Sequence, residues 1–493
     1  RRSSDLLLYT NFATFGKIIC YHMNRRRFFR NGSLFTLGAT VLNPFESNAS
    51  VPAVNATGKN KKAKNIIFLV SDGMSTGTLN MADLYLSRKT GKGSNWLQLY
   101  KDQRVNRALM DTASASSIVT DSSAGSSSWG GGVRVKNGVL NIAPNGDKPM
   151  PIWQKFKKAG KMAGCVTTVP ITHATPAGFC VNNDSRNAQQ DIAEDYLRLG
   201  FDIMMGGGNN YFSADARKDK KDMYAEYRAK GWTVARTRSE MMAAGNDKPV
   251  LGVFADDALP YTIDRRSNKQ LTDTTPTLAE MAQKAIDHMQ GHKNGFVLQV
   301  EAGKVDWGAH ANDIGALLYD QVAFDEAVKV AIDFAEKDGN TLVIITTDHG
   351  NANPGVIYGK DANTNFDSLQ KFTQTNEWIL NEIKPNFTAA QVRDLIQQAN
   401  SHTISEEEAK TILSYYDGLH KEEGLYNYKK LPYKAFAEMQ KARISVGWIS
   451  MDHSADYVEL AMFGPGSQLL KPFVKNIDLH YLMLEAAEVE NKF

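Results

Sequence analysis

The run Asn65-Ile66-Ile67-Phe68-Leu69-Val70-Ser71 leads directly into Asp72. A continuous Ile/Val/Leu-rich run of this length reads as a strand buried on both faces, the mark of a parallel sheet. The form recurs where Phe296–Val300 precedes Glu301 and where Thr341–Thr347 precedes Asp348. Further strand candidates are Ala108–Met110, Ala163–Val169, Asp202–Met205, Val250–Phe254 and Val458–Phe463. Helical patterns fall between them at Thr76–Arg88, Ser122–Trp129, Ile152–Ala159, Ala188–Leu199, Ala214–Lys230, Thr277–Met289, Ile314–Lys337 and Ile477–Val489. The alternation predicts an α/β fold with a doubly wound, mostly parallel central sheet flanked by helices. Ligands of such sheets gather beyond the carboxyl ends of the strands, where Asp72, Glu301 and Asp348 fall. A single acid at such a place is an ordinary turn or cap residue. Three in one chain point to a metal.

Other residues extend that chemistry. The stretch from Glu301 through Asp306 and Trp307 to His310 holds two carboxylates and an imidazole, and Asp348-His349 adds a second such pair. Carboxylates with imidazoles and no thiolate suit an open, catalytic zinc site, while an all-oxygen set suits magnesium. Thr120-Asp121-Ser122-Ser123-Ala124 has the form of a serine nucleophile at the beginning of a helix, where free N–H groups and the dipole favour a phosphate. Asp121-Ser122 reads equally as a simple helix cap. The chain offers no Ser-His-Asp order that would activate Ser122, so a metal would have to do so.

The chain has 493 residues, 42% hydrophobic and 23% charged, and no apolar run long enough to span a bilayer. Stable membrane association is not expected. The formal net charge is +3, but residues 1–56 carry seven Lys/Arg and two Asp/Glu, so the remainder carries about −2. That body lacks the basic footprint of a nucleic-acid binder. Asn24-Arg25-Arg26-Arg27-Phe28-Phe29-Arg30, followed by the apolar Gly32–Leu42 and small residues to Ala56, resembles a twin-arginine export signal. Residues 23–56 are expected to be that signal, residues 1–22 an extension ahead of the true start at Met23, and residues 57–493 the folded domain. The expected location is periplasmic or secreted. Cys165 and Cys180 would then either pair after export or remain buried thiols.

Residues 354–450 are polar, helix-rich and without strand patterns, with capping boxes at Thr388/Gln391 and Ser405/Glu408 like the one at Thr277/Glu280. They read as a helical insertion that roofs or flanks the site, with His402 and His420 exposed to solvent.

Asn65 through Met74, Val119-Thr120-Asp121-Ser122-Ser123-Ala124, His173-Ala174-Thr175-Pro176, Gln299 through His310, Thr347-Asp348-His349 and Asp452-His453 resemble the signatures of the alkaline phosphatase family, in the family's order. The resemblance spans about residues 62 to 490, the insertion matching least. It implies phosphate monoester hydrolysis through a phosphoserine at Ser122, with two zinc ions and one magnesium ion. Carried over residue by residue, Asp306, His310 and His453 would hold the first zinc, and Asp72, Asp348 and His349 the second. Asp72, Thr175 and Glu301 would hold the magnesium, and Arg186 would clamp the phosphate. Small phosphate monoesters would be the substrates and a homodimer the assembly. His173 and Trp307 depart from the best-known bacterial pattern, which has Asp and Lys or His there, so the surroundings of the third metal differ. Related phosphodiesterases, sulfatases and phosphomutases share strand-end metal ligands. Ser122 with Arg186 favours monoesters, and no ligand is missing that would imply a non-catalytic phosphate binder.

Overall fold

The computed structural model describes residues 62–422 and 425–492. The expected export signal and the extension before it lie outside the described residues. A ten-stranded sheet forms the centre. Its strands are β1 (Asn65–Ser71), β2 (Asn106–Asp111), β3 (Met162–Pro170), β4 (Ile203–Gly207), β5 (Thr233–Ala235), β6 (Val250–Val253), β7 (Phe296–Ala302), β8 (Thr341–Thr346), β9 (Tyr457–Phe463) and β10 (Phe473–Lys475). Their spatial order is β10-β2-β9-β8-β1-β7-β3-β4-β6-β5. All neighbours pair in parallel except β9, which runs antiparallel to β8 and β2. The expected doubly wound α/β architecture is therefore the observed one.

β1 is buried along its whole length because both of its faces are covered. Ile67 and Leu69 pack into the core on one side of the sheet, while Ile66, Phe68 and Val70 pack into the core on the other. Full burial of each such side chain contributes about 1.5–3 kcal/mol. Such a strand belongs inside the sheet, and β1 lies between β7 and β8, which are themselves buried along their whole length. It also brings Asp72, Glu301 and Asp348 to one end of the sheet.

Helices α1 (Thr76–Thr90), α2 (Ser122–Gly131), α3 (Ala174–Cys180), α4 (Lys304–His310) and α5 (Ile314–Asp338) surround that end. α2 and α3 approach closely because glycines line their crossing. A Cβ on Gly130 would lie 1.9 Å from the Gly178 carbonyl oxygen, and one on Gly178 would lie 2.1 Å from Ser126 Oγ.

The three capping boxes are present. The single helix expected over Ala214–Lys230 is not: only Met223–Ala229 is helical. Arg217 is the cause. Its buried guanidinium donates to the Tyr211 and Gln190 carbonyls and pairs with Asp219 and Glu194, which holds the preceding segment in turns.

Within residues 354–450 the helices build a separate small core around Ile379, Ile396, Ile412 and Phe436. The segment is not strand-free as expected. Gly355–Val356 pairs with Val446–Gly447, joining its two ends, and Lys421–Glu422 pairs with Leu425–Tyr426. His420 is exposed as expected, but His402 is not. Its ring lies 5.7 Å from that of Phe372, and burial pushes its pKa down to about 4. Cys165 and Cys180 are buried thiols with their sulfurs 3.8 Å apart. No helix of the described residues is long and apolar enough to cross a membrane.

Candidate active site

Ser122 is the first residue of α2, and the cap is its neighbour: Asp121 accepts from the Ala124 N–H at 2.9 Å. The ambiguity in the sequence is thereby divided between two residues. With the cap filled by Asp121, the buried Ser122 hydroxyl turns to the strand ends, 3.3 Å from His349 Nε2 and 3.5 Å from Asp72 Oδ1. Two of the uncapped N–H groups that begin any helix lie at this serine and its successor.

Three clusters of side chains meet here, the ligand atoms within each lying no more than 4.8 Å apart. The first is Asp306, His310 and His453; the second is Asp72, Asp348 and His349; the third is Asp72, Glu301 and His173. Thr175 Oγ1 lies 3.3 Å from Asp72 Oδ2 beside the third cluster. The candidate metal ligands read from the sequence are therefore gathered at one end of the sheet, beside Ser122. His173, expected only in the surroundings, has a ring nitrogen within reach of the third cluster itself. Trp307 stands edge-on to it, ring centroids 6.2 Å apart.

The donor and acceptor arrangement fits cations. His310 Nδ1 faces the Met451 carbonyl at 2.7 Å, and His453 Nδ1 faces the Thr120 carbonyl at 2.9 Å. Both protons thus belong on Nδ1. The two Nε2 lone pairs are then left pointing at each other across 3.0 Å, with Asp306 oxygens 3.4 and 3.5 Å away. His349 repeats the pattern: Nδ1 faces the Gly350 carbonyl at 3.2 Å, and Nε2 faces Asp72 and Asp348, each at 3.4 Å. Acceptors facing acceptors repel unless something positive sits among them. Asp348 Oδ2 and Glu301 Oε1 are likewise buried without a hydrogen-bond partner among the described residues. Hydrogen bonds from the far ring nitrogen to a carbonyl are the usual support of a metal-bound histidine. The first two clusters, mixed carboxylate and imidazole, have the donor chemistry of a zinc site; the oxygen-rich third has that of magnesium.

The electrostatics agree. Without cations, burial raises the Asp72 carboxyl well above its usual range, and Asp348, Asp306 and Glu301 raise it further. Glu301 is pushed up to about 8, chiefly by burial. Asp306 goes the other way: burial would raise it, but His310, His349 and His453 together hold it at about 2. Burial, aided by His349, lowers His453 to about 4.

Arg186 reaches in from the loop after Asn182. It donates to Asp121 Oδ2 at 3.0 Å and to His173 Nε2 at 3.1 Å. Burial and that guanidinium push His173 down to about 3. Supporting residues that motif reading passed over include Thr167, which donates to Glu301 Oε2 at 2.5 Å, and Asn351, which donates to Asp306 Oδ1 at 2.7 Å. Gly73 has φ +67°, and a Cβ there would lie 2.4 Å from Asp306 Oδ1, so the strand end needs glycine. Thr167 lies within β3 and is brought beside Glu301 by the register of β3 against β7, which the sequence does not show. Asn351, two residues beyond His349, carries no sequence signal until the strand pair Gly350–Asn351 with His453–Ser454 is seen.

Residues 63–489 match the family model described as alkaline phosphatase. The chain is 30% identical over 424 residues to alkaline phosphatase 4 of Bacillus subtilis (strain 168), covering 84% of this chain and 87% of that one. It is 32% identical over 335 residues to the alkaline phosphatase of Escherichia coli (strain K12), covering 59% and 71%. Among solved structures, Thermus thermophilus alkaline phosphatase superposes with a TM-score of 0.80 at 32% identity, covering 92% of this chain and 96% of that one.

Proposed function

The chain belongs to the alkaline phosphatase family of phosphomonoester hydrolases, and from that premise we propose that it cleaves phosphate monoesters through a covalent phosphoserine at Ser122. The observation that carries this reading is the position of Ser122 Oγ, 3.3 Å from His349 Nε2 and 3.5 Å from Asp72 Oδ1 at the start of a helix. A monoester dianion repels nucleophiles, and its uncatalysed hydrolysis leaves up to ~10²¹-fold for an enzyme to supply. Asp306, His310 and His453 would hold one zinc ion, Asp72, Asp348 and His349 a second, and Asp72, Thr175 and Glu301 a magnesium ion. When bound, these ions supply positive charge that lowers the pKa of the serine hydroxyl and of water and neutralises the leaving oxygen.

The chain's own residues do the rest. Ser122 Oγ attacks phosphorus, the bond from phosphorus to the ester oxygen breaks, and the alcohol leaves. Water then attacks the phosphoserine, the Oγ–P bond breaks, and inorganic phosphate is released with the serine restored. The N-terminal amides of α2 and the Arg186 fork orient the phosphoryl oxygens. Asp121 keeps the fork in place: burial would raise its pKa, yet Arg186 and the hydrogen bonds from Ala124 and Ser123 hold it below the usual range, so it stays anionic. His173 and Trp307 border the magnesium site. Residues 57–493 act as one catalytic domain with 354–450 inserted, exported by the twin-arginine-type stretch and working as a homodimer.

The test compares wild type, Ser122→Ala and a chelated sample on p-nitrophenyl phosphate and bis(p-nitrophenyl) phosphate. Monoester turnover should dominate and vanish in both altered samples. Faster diester turnover, or indifference to chelation, would overturn the proposal.

A further inference from the structure

Lys304 is the first residue of α4, the helix that carries Asp306 and His310. A lysine is ill-suited to that place. It is only 5% exposed, where a lysine is rarely found unless paired, and the amino end of a helix disfavours a cation. No ion pair joins it to an acid among the described residues. Burial raises the carboxyls of Asp257 and Asp320, and the charge of Lys304 pulls both back towards the usual range.

Aromatic rings take the place of a carboxylate. The Lys304 ammonium lies 3.4 Å from the centre of the Tyr261 ring and 5.1 Å from that of Trp307. Both distances fall within the ~6 Å over which the negative face of a ring attracts a cation, an attraction that grows as water is excluded. The backbone builds the arrangement. Trp307 follows Lys304 by three residues on α4, so the two share a face of the helix. Thr168 ties the Tyr261 segment to the same point: its hydroxyl accepts from the Lys304 N–H at 3.1 Å, and its carbonyl accepts at 2.8 Å from the N–H of Leu259, two residues before Tyr261.

On another side of Trp307 stands His173, the two ring planes at 74° and the centroids 6.2 Å apart. Hydrogen bonding holds the His173 ring at one nitrogen only. Nε2 accepts from Arg186 at 3.1 Å, while Nδ1 is buried without a partner among the described residues. A ring held at one point can turn about it, and packing against Trp307 opposes the turn. His173 in turn belongs to the third cluster, with Asp72 and Glu301.

We propose that Lys304 is a positioning residue for the third metal site: its ammonium grips Trp307 against Tyr261, and Trp307 holds the His173 ring beside Asp72 and Glu301. Lys304 acts through Trp307 and touches no reacting atom. This role rests on the metal-dependent reading given above.

The test uses the whole chain loaded with zinc, and magnesium alone as the probe. Calorimetric titration of the wild type should give one magnesium site. Lys304→Met keeps most of the side chain and removes the charge. It should bind magnesium about three- to tenfold more weakly, less than the ~10–100-fold for a residue that supports a ligand directly, with zinc content unchanged. Trp307→Leu should weaken magnesium by a similar factor, and adding Lys304→Met to it should cost nothing further. Should Lys304→Met fail to fold, Lys304→Gln carries the same expectation. An unchanged magnesium affinity, losses that multiply in the double variant, or zinc lost along with magnesium would each overturn the proposal. A wild type that binds no magnesium would overturn the reading of the third site itself, and this role with it.

Discussion

Removing the metals should make the stability of this protein fall more steeply with rising pH than that of the loaded protein. The perturbation is exhaustive chelation, which leaves Asp72, Asp348, Glu301 and Asp306 buried together. Glu301 has a folded pKa of about 8 against an ordinary 4.5, raised chiefly by burial. A carboxyl whose folded pKa lies above its unfolded one binds its proton more tightly when folded, so stability falls as pH rises between the two values. Below the ordinary histidine pKa of 6.5 the opposite effect intrudes, because His173 and His453 are held neutral by burial and add stability as pH rises to 6.5. The clean window is therefore pH 6.5–8. Across it Glu301 alone should cost the stripped protein about 2 kcal/mol, at ~1.4 kcal/mol per proton per pH unit, and Asp72, also raised by burial, acts in the same direction. Asp264, raised to about 7 by burial, titrates in both samples and cancels in the comparison. Urea unfolding of stripped and loaded protein at pH 6.5, 7.2 and 8 measures the difference. A stripped protein whose stability stays level or rises across this window would refute the electrostatic account of the site.

Replacing Thr167 with valine keeps the shape but removes the 2.5 Å hydrogen bond to Glu301. The magnesium requirement for activity should rise about 10–100-fold, as for other residues that support a ligand, with zinc content unchanged. Arg186→Lys exchanges the fork for a point charge, so kcat/KM for p-nitrophenyl phosphate should fall by at least about tenfold and phosphate inhibition should weaken, read by steady-state kinetics. Gly73→Ala should abolish zinc retention at the first cluster, because its Cβ would lie 2.4 Å from Asp306 Oδ1 on a left-handed backbone; metal analysis after gel filtration checks this.

Much of this design could be read from the chain because the strongest signals were local. Unbroken apolar runs ending on Asp72, Glu301 and Asp348 announce parallel strands and the end at which they converge, since sheet geometry does the rest. Legibility failed where the deciding partner was distant in sequence. The expected helix over 214–230 broke because buried Arg217 is held by Gln190 and Glu194, residues in another segment. His402 lost its expected exposure to Phe372, some thirty residues before it. Asn351 and Thr167 support ligands through contacts that no spacing rule encodes. Ser122 shows both sides: the sequence left cap and nucleophile open, and the structure gave the cap to Asp121.

The most direct test of the central claim is to trap the phosphorylated intermediate. Protein mixed with excess phosphate monoester, quenched in acid and digested, should yield a peptide containing Ser122 heavier by one phosphoryl group, absent from the Ser122→Ala variant. Phosphate on another residue, or turnover that persists in Ser122→Ala, would contradict the account.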